Sequence, residues 1–245
     1  MALRADERID YIGKKHLKII QSKNVFTFSL DAVLLAYFVN VPKQKGKLVD
    51  LCAGNGVVPI LLSQRSYGDI FAVEIQETLC DMAARSVRLN DLDERITILC
   101  KDINDLRDTL GNDSFDVVTC NPPYFKTTSE SDVKRNRSMA IARHEIYCTL
   151  ADVVRVASRL LKQGGKAAFV HRPNRLLELL TTMRAHHIEP KRLQFVHPKK
   201  GAEANIVLVE GAKAGKADLR VLPPITVYTK ENRYTNEIRE IINGT

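Results

Sequence analysis

The chain has 245 residues, room for one large domain or two small ones, and its 44% apolar content with 12 Gly and 9 Pro is ordinary for a globular protein. No apolar run approaches the roughly 18 residues a membrane-spanning helix needs, and the opening MALRADERIDYIGKK lacks the apolar core of a secretory signal. Five cysteines (Cys52, Cys80, Cys100, Cys120, Cys148) form no C-x-x-C pair and have no His at ligand spacing, so reduced thiols in a cytoplasmic protein are expected, without a metal site.

The formal net charge of +8 is unevenly spread. Residues 48–125 carry six Lys/Arg against thirteen Asp/Glu, whereas residues 1–47 carry nine against four and residues 155–245 seventeen against eight. Basic material therefore flanks an acidic centre. Lys14, Lys15, Lys18, Lys23, residues 134–137, Lys191, Arg192, Lys199 and Lys200 are the natural contributors to a surface that attracts a polyanion such as nucleic acid. Scattered solvated lysines are the plain alternative.

In chain order, residues 47–51 read as a short apolar strand, 57–64 as a helix and 70–74 as a second strand. Leu79, Met82, Ala83 and Val87 mark a helix over 77–90, and strands follow at 96–100 and 115–120. Leu150, Val153, Val154, Ala157, Leu160 and Leu161 make an amphipathic helix that Gly164-Gly165 is expected to stop. A strand over 166–170, a helix over 175–185 and strands over 193–196 and 206–210 complete the pattern, with 211–220 as an exposed connection. Alternating strands and helices argue an α/β fold, a mostly parallel sheet covered on both faces. The expected organisation is an extension over 1–46 packed on a domain over 47–210, then a tail over 211–245.

The first strand-to-helix turn reads Val-Asp-Leu-Cys-Ala-Gly-Asn-Gly-Val over 49–57. Gly54 and Gly56 permit a tight turn and close approach of a ligand. Glu74, twenty residues after Gly54, ends the second strand, where a carboxylate can accept bonds from two ribose hydroxyls. A dinucleotide site wants a small residue at position 59; Pro59 stands there. Asp50 would also repel phosphates and favour a cation. S-adenosylmethionine, with a ribose, a sulfonium and no phosphate, fits better than NAD. Asp102, just past the third strand, could accept an adenine amine or simply cap the following turn.

The strand over 115–120 runs into Asn121-Pro122-Pro123-Tyr124. The two prolines stiffen this corner. The Asn121 side chain and the Pro122 carbonyl are acceptors suited to the two hydrogens of one amine, and Tyr124 offers a flat face for a base. A Pro-rich turn with a surface Tyr is the alternative.

Together DLCAGNG, AVEI, CKDI and VVTCNPPY resemble a class I S-adenosylmethionine-dependent methyltransferase of the amino-methylating branch, a Rossmann-like fold with a seven-stranded, mostly parallel sheet. FTFSLDAVLLA, ARHE, VHRP and ITVYTKENRYTNEI are similar to the bacterial tRNA adenine-N6 methyltransferases, which modify adenine 37 beside the anticodon of a valine tRNA. The resemblance implies cofactor contacts at Asp31, Asp50, Ala53, Gly54, Gly56, Glu74, Ile75, Asp102, Ile103 and Asn121. It implies catalysis at Asn121, Pro122, Pro123 and Tyr124. Asp31 could instead cap a helix. His171, Arg172 and Pro173 could line the site or form a turn. Residues 125–143 read as a polar loop beside the site, and Arg143, His144 and Glu145 as a helix start or an RNA contact. Methylation of a protein glutamine suits the same corner, although residues 1–46 leave little room for the helical substrate domain such enzymes carry; a non-catalytic cofactor- or RNA-binding module is the third reading.

Overall fold

The computed structural model describes residues 3–13, 17–25, 28–124 and 148–243. Residues 125–143, the segment 142–145, Lys14, Lys15 and residues 134–137 therefore lie outside the described residues, as does the start of the FTFSLDAVLLA segment.

A hairpin opens the chain, β1 (Glu7–Ile12) pairing antiparallel with β2 (Leu17–Ser22), and α1 (Leu30–Phe38) follows. Then come β3 (Lys47–Leu51), α2 (Val57–Leu62), β4 (Asp69–Glu74), α3 (Glu77–Leu89), β5 (Ile96–Cys100) and β6 (Phe115–Cys120). The second half holds α4 (Leu150–Leu160), β7 (Leu161–His171), α5 (Leu176–Ala185), β8 (Ile188–Lys199) and β9 (Ile206–Lys213). The tail adds β10 (Arg220–Val221), β11 (Ile225–Tyr228) and α6 (Asn236–Asn243).

The main sheet runs β10-β8-β9-β7-β6-β3-β4-β5, with β11 also on β8. Strands β3 to β7 are parallel, and β9 is antiparallel to both β7 and β8. This is the seven-stranded arrangement expected, extended by two short tail strands that pair parallel to β8.

Both faces of the sheet are covered, so its central strands are largely buried on both faces, with Asp50 of β3 and Thr119 of β6 as buried polar exceptions. Leu48, Val117 and Ala168 face one core with α1, α2, Ile225, Val227 and Ile238. Their chain neighbours Val49, Val118 and Phe169 face a second core with α4 and α5. A third cluster joins Ile20 and Val25 of the hairpin region to Leu79 and Met82 of α3. Arg85 adds a buried ion pair from α3 to Glu7 of β1 at 2.5 Å.

Helix α4 starts on a capping box, Thr149 Oγ1 accepting from Asp152 N at 3.2 Å and Asp152 Oδ2 accepting from Thr149 N at 3.1 Å. It does not run to Gly164-Gly165. Leu161 is already extended, with φ −70° and ψ 137°, and the glycines lie inside β7. There they absorb a bulge, since Leu161 pairs with Phe115 but Lys166 already pairs with Val117. The connection expected over 211–220 is also partly strand, because β9 continues to Lys213 and Arg220 pairs with Arg192.

Candidate active site

The carboxyl ends of parallel strands are where an open α/β sheet leaves room for a ligand. A cavity of about 410 Å³ lies there, lined by the segments that follow β3, β4, β5 and β6. Strand order fixes the sequence of groups along that edge: Asp102 beyond β5, Glu74 at β4, the 52–55 turn at β3, then Asn121 beyond β6.

Gly54 has φ +57°, and a Cβ there would touch nothing within 4 Å, so the turn leaves open space above its backbone. Its N–H donates to Glu74 Oε2 at 2.9 Å, and Gln76 N donates to Oε1 at 2.9 Å. These bonds aim the carboxylate while leaving lone pairs for ligand hydroxyls. Burial raises the Glu74 pKa, opposed by the N–H groups of Gln76, Gly54 and Ile75. Gly56 is different. It is absent from the cavity wall. With φ +86° it opens α2, and a Cβ there would stand 3.1 Å from the Ala83 Cβ of α3. Its smallness serves helix packing.

Asp50 is buried beneath the turn and accepts from Thr119 Oγ1 at 2.6 Å. Burial pushes its pKa up to about 8, against the Thr119 bond, with Glu74 adding to the rise. Burial thus opposes the charge that the sequence suggested for it. A cation placed beside it would draw the proton off.

Asp102 is the cap of the following turn and also part of the cavity wall. Oδ1 accepts from Asn104 N at 2.8 Å and caps a short 3₁₀ turn (Ile103–Asp105), and the residue lines the cavity with Ile103. Ala53 and Ile75 also line it. Asp31 stands in the first turn of α1 but makes no cap; Ser29 is at the N-cap position. Its carboxylate instead reaches Tyr124, whose hydroxyl lies 2.8 Å from Asp31 Oδ2 and 2.5 Å from Asn121 Oδ1. Pro122 and Pro123 are buried beneath this corner.

The Tyr124 ring is not an open platform. The Arg172 guanidinium lies over it at 4.9 Å and the His171 ring is 5.3 Å away. Arg175 Nη1 donates to the Tyr124 carbonyl at 3.1 Å. The segment after β7 thus divides its duties: Arg172 lines the cavity, His171 is fully buried behind it, and Pro173 starts a 3₁₀ turn (Pro173–Arg175). Burial and Arg175 hold the His171 pKa down at about 4, so the ring is neutral.

Sequence reasoning missed Phe28, Cys52, Gln76, Lys101 and Cys148 in the wall. Cys148 reaches the site from a separate part of the chain, its Sγ 4.0 Å from that of Cys52, and no local pattern announces it. Buried Asn55 donates from Nδ2 to Ile20 O at 3.0 Å, tying the turn to β2. Four carboxyl groups (Asp31, Asp50, Glu74, Asp102) face the cavity against Lys101 and Arg172. Such a wall accepts a cationic ligand bearing a ribose and rejects a pyrophosphate.

Fold and site together define a class I methyltransferase. The chain belongs to the methyltransferase small domain family, whose model matches residues 16–189. It is 25% identical to a Parabacteroides distasonis protein named tRNA1(Val) (adenine(37)-N6)-methyltransferase, over 94% of this chain and 95% of that one. A Porphyromonas gingivalis protein of the same name is 26% identical over 89% of this chain and 90% of its own. Among solved structures, a protein described as a predicted O-methyltransferase from Agrobacterium tumefaciens superposes with a TM-score of 0.70 at 22% identity, over 87% of this chain and 95% of that one. Geranyl diphosphate C-methyltransferase from Streptomyces coelicolor A3(2), solved with S-adenosyl-L-homocysteine, gives 0.58 at 13% identity over 75% of each chain.

Proposed function

We propose that this chain transfers a methyl group from S-adenosylmethionine to the exocyclic N6 amine of an adenine in tRNA, the anticodon-loop adenine of a valine tRNA being the target its relatives' names point to. The observation that carries this reading is the placement of Asn121-Pro122-Pro123-Tyr124 at the β6 end of a cavity whose other end holds Glu74 and Asp102.

S-adenosylmethionine supplies an electrophilic methyl on a sulfonium. Glu74 would accept from the ribose hydroxyls and Asp102 from the adenine amine, with Ile75 and Ile103 beside them in the wall. The Gly54 turn gives the rest of the donor room, beside Ala53 and Asp50. The target amine is a poor nucleophile because its lone pair is delocalised into the ring. Acceptors at the Asn121 side chain and the Pro122 carbonyl hold its two hydrogens and favour a pyramidal nitrogen with the lone pair aimed at the methyl. That geometry belongs to the transition state, so the bonds act on rate. Pro123 keeps the corner stiff, and alignment supplies much of the remaining acceleration. The methylated amine is acidic enough to lose its proton to water.

The target base is splayed out of its loop and stacks on Tyr124, worth roughly 1–3 kcal/mol, taking the place of the Arg172 guanidinium. RNA is held by exposed basic residues, among them Lys18, Lys23, Lys199 and Lys200. Arg192 leaves that set: it is turned inward, 3.1 Å from Glu210 and over the Phe38 ring at 4.6 Å.

The test is incubation with labelled S-adenosylmethionine and total tRNA, followed by nucleoside mapping. Label in N6-methyladenosine is expected. Label in protein with the RNA unmarked overturns the reading in favour of a glutamine substrate.

A further inference from the structure

The Tyr124 hydroxyl carries one hydrogen, yet it lies between two acceptors as placed, Asp31 Oδ2 at 2.8 Å and Asn121 Oδ1 at 2.5 Å. A carboxylate can only accept, so the hydrogen goes to Asp31. The hydroxyl oxygen then turns lone pairs toward Asn121. With Oδ1 opposite, two electron-rich atoms would face each other at 2.5 Å. A half-turn of the carboxamide about its last bond leaves its shape nearly unchanged and presents Nδ2, a donor, to the hydroxyl. Oδ1 then lies on the side away from Tyr124.

We propose that Asp31 is a positioning residue: it sets the direction of a hydrogen-bond chain from Asn121 through Tyr124 to Asp31, and so turns the Asn121 carbonyl toward the target amine. The proposal rests on the reading of Asn121 as an amine acceptor and adds what orients it. Three elements meet in this chain, α1, the end of β6 and the Tyr124 corner. Burial and the charge of Asp31 both hold the Tyr124 proton in place, which suits a hydroxyl that must donate. Asparagine at position 31 could donate as readily as accept, and the direction would no longer be imposed.

The test uses the full chain with tRNA and S-adenosylmethionine, comparing Asp31→Asn, Asp31→Glu, Tyr124→Phe and the Asp31→Asn/Tyr124→Phe pair. Asp31→Asn and Tyr124→Phe should each lower kcat about tenfold, the scale of one hydrogen bond made in the transition state. The loss should persist at saturating methyl donor, the donor KM of Tyr124→Phe should change little, and Asp31→Glu should recover part of the loss. The double variant should be no slower than the slower single one, because both cut the same chain. Effects that multiply in the double variant, or a raised donor KM at unchanged kcat, would overturn the proposal. Calorimetric donor binding shows that each variant is folded. Should Asn121→Ala retain activity, the amine-acceptor reading itself fails, whatever Asp31 does. Should Asn121→Ala be inactive while Asp31→Asn and Tyr124→Phe are both normal, only the positioning role fails.

Discussion

Asn121 carries the largest single expectation. Asn121→Ala removes one of two acceptors for the target amine and should cut turnover by about a hundredfold or more, as loss of an oriented transition-state dipole does. Donor affinity by calorimetry should survive. Activity within tenfold of the parent protein would contradict the role. Asp50 makes a different prediction, one of stability. Its pKa rises from an ordinary 3.8 to about 8 on folding. The unfolded chain therefore ionises first, and the Asp50 contribution to stability falls as pH climbs from about 4 to about 8, then levels. Asp50→Asn keeps the shape without the ionisation. Its donor-free melting temperature relative to the parent should rise steadily from pH 5 to pH 8; parallel pH curves would show that Asp50 titrates normally.

At the scale of elements, Gly56 joins α2 to α3. Gly56→Val puts a branched side chain at φ +86° and against Ala83 at 3.1 Å. Strain and overpacking together should cost about 2–4 kcal/mol, read as a lowered denaturation midpoint, and an unchanged midpoint would mean that α3 yields freely. The same residue shows where sequence reading stops. Two glycines in one turn look alike in the sequence, yet Gly54 opens space for a ligand while Gly56 admits a neighbouring helix. Strands β3, β5 and β6 were legible to the residue because each is a short run rich in β-branched and other apolar residues bounded by polar segments. The hairpin Glu7–Ser22 was not, since β1 is charged and half-exposed and β2 owes its burial to α3 and the first core. Gly164-Gly165 misled because helix α4 ends at a change of backbone direction at Leu161 with no glycine in it. In the site, residues at strand ends could be placed from spacing alone. The Asp31–Tyr124 contact spans 93 residues, and the Arg172 guanidinium over Tyr124 depends on β7 lying beside β6.

For the whole molecule, the proposed function assigns the donor to the acidic centre and the tRNA to the basic flanks. Binding of a tRNA should weaken steeply with salt, log K falling by about 0.7 for each single-stranded phosphate neutralised per unit of log salt concentration. Donor binding should change far less over the same range. A flat salt response for RNA, measured by fluorescence anisotropy, would discredit the flanks as its site. Charge reversal at Lys199 and Lys200, both exposed beyond the inward-turned Arg192, should lower that slope without touching the donor constant.

The bond from Asn55 to the Ile20 carbonyl gives the molecule one further property. The donor turn is fastened on one side to Glu74 and on the other to the N-terminal hairpin, each by a single hydrogen bond. If those bonds couple the two, occupancy of the pocket should slow amide exchange in β2, a segment outside the main sheet, and loosening of β2 should weaken the pocket by the same free energy; unchanged exchange on donor binding would refute the coupling. Deuterium uptake at residues 17–22 thereby becomes a gauge of whether the donor is bound.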